Sequence, residues 1–378
     1  MLWAALAMLL LSGLATDIVG QEPQLLPEYE VELTAPAASL VADPTDQPVD
    51  DGTFLHDRLP PVIGGGAEQP AVKYWIVSSR SSSQEVGCMG QLCIYARHCD
   101  GCLRRTDCQS MIAGFMPGAP VHICVHGSYV DYETAVAYSE ATYCWLRRAC
   151  PDRPLNVVFF TWPSERTRLL LAGCELLALG RRAEANGFYV ASLLRSIPDC
   201  HPVSLLGHSH GARVVLSAAH LAGGGEVQGC RLSGSVGCKR IRVILAAAAV
   251  DNNWLNDCSR YDRALSRAEC ILNLRNRYDV VLKFYPLLRP LLSHRAIGAS
   301  GMTIFNRQRQ SSPNKLRDMD VTNLVGKGHV WPKYLASQRL ICSISSWIYF
   351  PDVNPPCSGS ANWTNASDTS AGPSSIPH

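Results

Sequence analysis

The chain has 378 residues, 47% of them hydrophobic and 17% charged, enough to build one large core with appendages. The formal net charge is only +2 and no long basic run occurs, so the footprint of a nucleic-acid-binding protein is missing and no nucleic-acid partner is expected. Sixteen cysteines fit an exported protein better than one kept in a reducing compartment.

Residues 2–14 form an uncharged apolar run, short for a membrane span and the right length for a signal-peptide core. Residues 1–20 are therefore read as a signal peptide, with Ala15 or Gly20 near the cleavage point. That makes the mature protein secreted or periplasmic. The α-amine is the only positive charge ahead of the run, and an uncleaved segment would instead hold the protein at a membrane. Residues 21–71 read as a disordered tether. Glu22, Glu28, Glu30, Glu32, Asp43, Asp46, Asp50, Asp51 and Asp57 face Arg58 alone, prolines recur, and Gly64-Gly65-Gly66 follows. Such a stretch buries too little apolar surface to offset its ordering entropy.

Order is expected over residues 72–350. Strands are predicted at 72–77 and 92–95, a helix at 106–115, and a short apolar strand at 121–125 that ends at His126-Gly127. A helix at 132–148, a buried strand at 155–160 and a helix at 181–197 follow. The run Val203-Ser204-Leu205-Leu206 suits a buried strand, and 212–221 suits a helix stopped by Gly223-Gly224-Gly225. Further strands are expected at 241–250 and 271–274, and a closing helix from Pro332. Strands alternating with helices imply an α/β architecture, a mostly parallel central sheet with helices on both faces. Residues 351–378 form a low-complexity tail with sequons at Asn362 and Asn365.

Cys88, Cys93, Cys99, Cys102 and Cys108 cluster in an insert at 88–108, and ten more cysteines are spread through the domain. With a secretory start, several disulfides are expected. Cys124 lies in an apolar run and reads as a buried free thiol. Cys99-Asp100-Gly101-Cys102 offers half of a zinc set, but no second knuckle follows at zinc-site spacing. Neither a metal nor a cofactor is expected.

The chemistry concentrates at Gly207-His208-Ser209-His210-Gly211, a G-x-S-x-G between a predicted strand and a predicted helix. A strained apex lifts the serine hydroxyl clear of the turn, and glycines on either side admit the close approach of strand and helix. The hydroxyl needs a base to take its proton, and the base needs a group to orient it. Asp279, just past the 271–274 strand, is the preferred acid, with Asp251 after the 241–250 strand as its rival. His329, in Gly326-Lys327-Gly328-His329-Val330-Trp331-Pro332, is the preferred base, ahead of His294. His208 and His210 are expected to point away from the hydroxyl, and His201 and His220 read as surface or satisfied histidines. The backbone N–H of His210 is the expected first oxyanion donor. The second is expected from His126-Gly127-Ser128-Tyr129, with Ser128 preferred and Tyr129 left open.

These features together resemble an α/β-hydrolase over residues 72–346. Thr161-Trp162-Pro163-Ser164 and Asn276-Arg277-Tyr278 add to the likeness, and the tryptophan-proline turn with its following helix is similar to a sparsely characterised bacterial branch. The resemblance implies a serine hydrolase with Ser209, Asp279 and His329 as its triad. Esterase or lipase-like action on a small ester or lipid-like substrate is the expectation. A peptidase or acyltransferase with the same triad, and a binding protein on a lapsed hydrolase fold, are the alternatives. Residues 169–179 and 280–292 are apolar enough either to cap the pocket or simply to pack in the core.

Overall fold

Apolar residues at alternate positions of the central strands face both ways, so the sheet they form must be covered on both sides. The computed structural model describes residues 71–85, 90–166, 172–288, 294–302 and 315–351. In chain order the strands of the main sheet are β1 (Val72–Ser78), β2 (Cys93–His98), β3 (Leu103–Thr106), β4 (Val121–Val125), β5 (Asn156–Thr161) and β6 (Val203–His208). A small hairpin, β7 (Glu226–Val227) with β8 (Cys230–Arg231), stands apart. The sheet is completed by β9 (Ile241–Ala246), β10 (Cys270–Arg275) and β11 (Leu316–Asp320). The helices are α1 (Cys108–Ala113), α2 (Tyr132–Ala149), α3 (Ala172–Ser196), α4 (Gly211–Ala222), α5 (Asp262–Arg267), α6 (Val280–Lys283), α7 (Ile297–Ser300), α8 (Thr322–Val325), α9 (Trp331–Leu335) and α10 (Gln338–Tyr349).

The main sheet has nine strands in the order β11-β10-β9-β6-β4-β5-β1-β2-β3. From β11 to β1 every neighbouring pair is parallel, and β2 and β3 add an antiparallel edge. The placing of β5 between β4 and β1, with β6 on the other side of β4, is the strand order of the α/β-hydrolase architecture. Two packed layers cover the faces. Val203 and Leu205 of β6 join Val243 and Leu245 of β9 beneath α3, α4 and α5. Leu206, Ile244 and Ala246 point the other way, against Trp145 of α2 and Ile341 and Ile344 of α10. That alternation is the period of an extended chain, and it makes the central strands near-continuous apolar runs.

Helix ends follow local chemistry. Asp131 caps α2 by accepting the Thr134 N–H at 2.8 Å, Ser337 caps α10 through the Leu340 N–H, and Pro332 sits in the first turn of α9.

Several expectations are corrected. β3 and β11 went unforeseen because both are short and polar, and β11 buries only Leu316 fully. Edge strands carry little of the apolar signal that marks central ones. The helix expected from residue 181 begins at Ala172, so most of the 169–179 segment is its first turns, with Leu179 fully buried in the core. The 280–292 segment yields only the short α6 and a 3-10 turn at Tyr285–Leu288 within the described residues. The described part of the cysteine-rich insert forms the β2–β3 edge and reaches the first residue of α1; the edge begins four strands from β6, so the insert widens the sheet. Among the described residues thirteen cysteines are free thiols, including Cys99, Cys102 and the buried Cys124, while Cys270 is disulfide-bonded, so most of the expected disulfides are not found there. No group of three or more metal-ligating side chains is placed to hold an ion among the described residues. No described helix is long and apolar enough to cross a membrane. The expectations for 1–20, the tether and the tail fall outside the described residues, apart from their boundary positions 71 and 351.

Candidate active site

The carboxyl ends of β6, β10 and β11 and the loop after β4 converge, which is where open parallel sheets place their sites. Ser209 is the apex between β6 and α4, with φ at 53°, in the left-handed region that a serine seldom adopts. Its conformation is held from both sides. The Ser209 N–H donates to the Ala246 carbonyl at 2.9 Å, and its own carbonyl accepts the Ala249 N–H at 3.3 Å. Tyr129 (φ 62°) and Ala247 (φ 45°) are left-handed too, so backbone strain gathers around this serine. The flanking glycines are there for space. A Cβ on Gly207 would stand 2.5 Å from the Gly211 carbonyl oxygen, and one on Gly211 would stand 2.4 Å from that of Val125.

His329 lies with Nε2 at 3.0 Å from Ser209 Oγ and Nδ1 at 2.8 Å from Asp279 Oδ2. When Nδ1–H donates to the carboxylate, Nε2 is left bare to accept the serine proton. Asp279 is fully buried. Its other oxygen, Oδ1, accepts the Leu282 N–H at 3.0 Å, so the acid also caps α6 and cannot swing away.

The rival aspartate does other work. Asp251 is buried and accepts the Tyr285 hydroxyl, which in turn accepts from Arg213 Nη2 at 3.0 Å. Arg213 Nε donates to the Ala249 carbonyl at 2.8 Å and its guanidinium lies over the Trp254 ring. This network ties α4 to the segment after Asp279. It is His329, not His294, that reaches Ser209.

Two side chains unforeseen as site residues hold the His329 loop in place. His208 Nε2 contacts the His329 carbonyl oxygen at 2.7 Å, and its ring packs between His329, Trp331 and Tyr334. Burial pushes the His208 pKa down to about 3, so the ring is neutral and Nε2–H is the donor. Asn276 Nδ2 donates to the Gly326 carbonyl at 2.8 Å and toward that of Gly328 at 3.3 Å, tying down the loop that carries His329. His201 and His220 prove buried and hydrogen-bonded, the second of the two readings offered for them.

The Thr161-Trp162-Pro163-Ser164 turn is a bracket for the loop after β4. The Trp162 indole N–H donates to the His126 carbonyl at 3.0 Å, and its ring stacks on the His126 imidazole. The Thr161 hydroxyl lies 2.9 Å from His126 Nε2. Ser164 Oγ donates to the Val130 carbonyl, and its backbone carbonyl accepts the Tyr129 N–H at 2.7 Å. The Tyr129 N–H is therefore already used, which leaves Ser128 as the better-placed residue of the pair. Gly127 lies against the elbow, where a Cβ would meet Ser209 Cβ at 2.9 Å. On the other side, the His210 N–H opens α4 and makes no backbone hydrogen bond among the described residues. The positive end of that helix faces the serine.

Fold and site define an α/β-hydrolase-type architecture in which a strained serine, a histidine and a buried carboxylate stand in line. No protein-family model and no curated protein matches the chain. Among solved structures it is similar to a Trichoderma reesei cutinase in complex with a C11Y4 phosphonate inhibitor, at 12% identity, covering 64% of this chain and 86% of that one, with a TM-score of 0.27. Likeness at that level is loose, and the architecture is read from the strand order itself.

Proposed function

We propose that this protein is an exported serine hydrolase that cleaves carboxylic esters through an acyl-serine intermediate, with Ser209 as nucleophile, His329 as general base and acid, and Asp279 as the carboxylate that orients it. The observation that carries the reading is the unbroken hydrogen-bonded line from Asp279 Oδ2 through His329 to Ser209 Oγ, ending on a serine at positive φ. In the first half-reaction Ser209 Oγ attacks the ester carbonyl carbon as its proton passes to His329 Nε2, and the buried Asp279 carboxylate stabilises the imidazolium. The carbonyl oxygen gains negative charge beside the His210 N–H and the Ser128 segment. Collapse breaks the carbon–oxygen bond to the alcohol, which leaves with the proton from His329. Water then attacks the acyl-serine, giving its proton to His329, and the acid product departs as Ser209 recovers its hydrogen. Export rests on the apolar run at 2–14 and the cysteine content.

The test is labelling of the folded chain by a fluorophosphonate, with short p-nitrophenyl esters and a peptide panel as substrates. Labelling of the wild type that vanishes in Ser209→Ala, with ester cleavage and no peptide cleavage, is expected. Absence of label on the wild type, or equal label on Ser209→Ala, overturns the reading.

A further inference from the structure

The proposed mechanism leaves one close contact unused. Ser128 Oγ lies 2.6 Å from Nδ1 of His210, the residue that follows the nucleophile. His210 is buried and its pKa is held well below the usual imidazole value by that burial. Its Nε2 has no hydrogen-bond partner among the described residues. Ser128 itself retains some exposure and follows Gly127, whose backbone abuts Ser209. Hydroxyl, ring and nucleophile thus share one corner of the site.

We propose that the Ser128 hydroxyl is a side-chain oxyanion donor and that the His210 imidazole is the positioning residue that aims it. This rests on the serine hydrolase reading above and deepens it. A serine hydroxyl has one proton and two lone pairs, and a neutral imidazole has one N–H and one bare nitrogen. If Ser128 gives its proton to a bare Nδ1, that proton is spent. If His210 carries its proton on Nδ1, the ring donates to Ser128 Oγ, and the hydroxyl hydrogen is free to turn toward the substrate. Because Nε2 has no acceptor among the described residues, none of them opposes the Nδ1–H form. The ring is held neutral by burial, so it keeps a single N–H to give. When negative charge develops on the substrate oxygen, it meets the His210 backbone N–H from one side and the Ser128 O–H from the other. The same residue supplies one donor through its backbone and fixes the second through its ring. A preset rotor avoids reorganisation at the moment of reaction, which is what makes such donors effective.

Steady-state hydrolysis of p-nitrophenyl butyrate by the full chain, with fluorophosphonate labelling rates, tests this. Ser128→Ala is expected to lower kcat by about 10²-fold with KM within about twofold, the size seen for loss of one oxyanion donor. His210→Phe, which keeps a ring but no Nδ1, is expected to lower kcat at least about tenfold. His210→Asn, whose side-chain N–H reaches a similar point, is expected to restore most of it. In a Ser128→Ala background His210→Phe is expected to cost almost nothing further, since both changes remove one donor. Thermal melts of every variant separate these effects from unfolding. Wild-type kcat in Ser128→Ala overturns the proposal, and so does a full further loss from His210→Phe in that background. Either result, on a wild type that labels at Ser209, leaves the hydrolase reading standing. A wild type that neither labels nor cleaves esters overturns both.

Discussion

His208 Nε2 and the carbonyl oxygen of His329 lie 2.7 Å apart, so the residue just before Ser209 anchors the loop that carries His329. Ser209 and His329 are therefore tied together, although they stand 120 positions apart in the chain. His208→Phe should keep the tilted and edge-on ring contacts with Trp331 and Tyr334 but lose the hydrogen bond. A base loop displaced by a fraction of an ångström is costly, and kcat on p-nitrophenyl esters is expected to fall by about 10–100-fold with little change in KM. A His208→Phe enzyme with wild-type kcat would show that the anchor is dispensable.

Asp279 and Asp251 should separate cleanly. Asp279→Asn leaves the shape intact but favours the wrong imidazole tautomer, and about a 10⁴-fold loss of kcat is expected. Asp251→Asn weakens the Tyr285–Arg213 network instead, so about 1–3 kcal/mol of stability should be lost, with kcat within about tenfold. Urea midpoints and steady-state rates on the two variants decide it, and a larger rate loss in Asp251→Asn would reverse the assignment.

Gly211→Ala should damage folding before it damages chemistry. The added methyl would stand 2.4 Å and 2.5 Å from the carbonyl oxygens of Val125 and His126, which are backbone and cannot rotate away. A loss of about 3 kcal/mol is expected, at the upper end for overpacking. A urea midpoint equal to that of the wild type would contradict this packing account.

Trp162→Phe removes the indole N–H that satisfies the His126 carbonyl while keeping a ring in the core. A buried acceptor left unpaired costs about 1–3 kcal/mol. Because that loop also places Ser128, kcat should fall with stability. Differential scanning calorimetry beside ester kinetics tests the link; a stability loss with unchanged kcat would mean the bracket does not serve the site.

Burial pushes His122, His126 and His208 each down to about 3, below the ordinary histidine value near 6.5. The unfolded chain therefore binds protons that the folded chain refuses. Stability should be greatest above about pH 6.5 and should fall as pH drops from there toward 3, by up to about 1.4 kcal/mol per pH unit for each ring. Between pH 6.5 and 5 histidines dominate the slope, because most carboxylates are still ionised. Urea unfolding at pH 7.5 and pH 5 measures it, and equal stabilities would refute the buried-neutral assignment.

The sequence by itself determined the central strands and the elbow. β4, β6, β9 and β10 are predominantly apolar because both their faces are buried, and that signal needs no tertiary knowledge, even though His122, Ser204, Arg242 and Asn273 interrupt it. Gly207 and Gly211 around Ser209, and the order of serine, aspartate and histidine along the chain, were legible for the same local reason. Only the tertiary structure decided which aspartate stands beside His329, since Asp251 and Asp279 both follow strands and differ only in what folds against them. It alone drew Thr161, Trp162 and Ser164 together around the β4 loop, set His208 on the loop that carries His329 and laid Ser128 against the His210 ring. Those partners lie tens of residues or more apart, and hydrogen bonding at such separations leaves no period or composition in a sequence to be read. The edge strands β3 and β11 belong with them, because a strand with one neighbour and a solvated face takes its identity from pairing more than from apolar side chains.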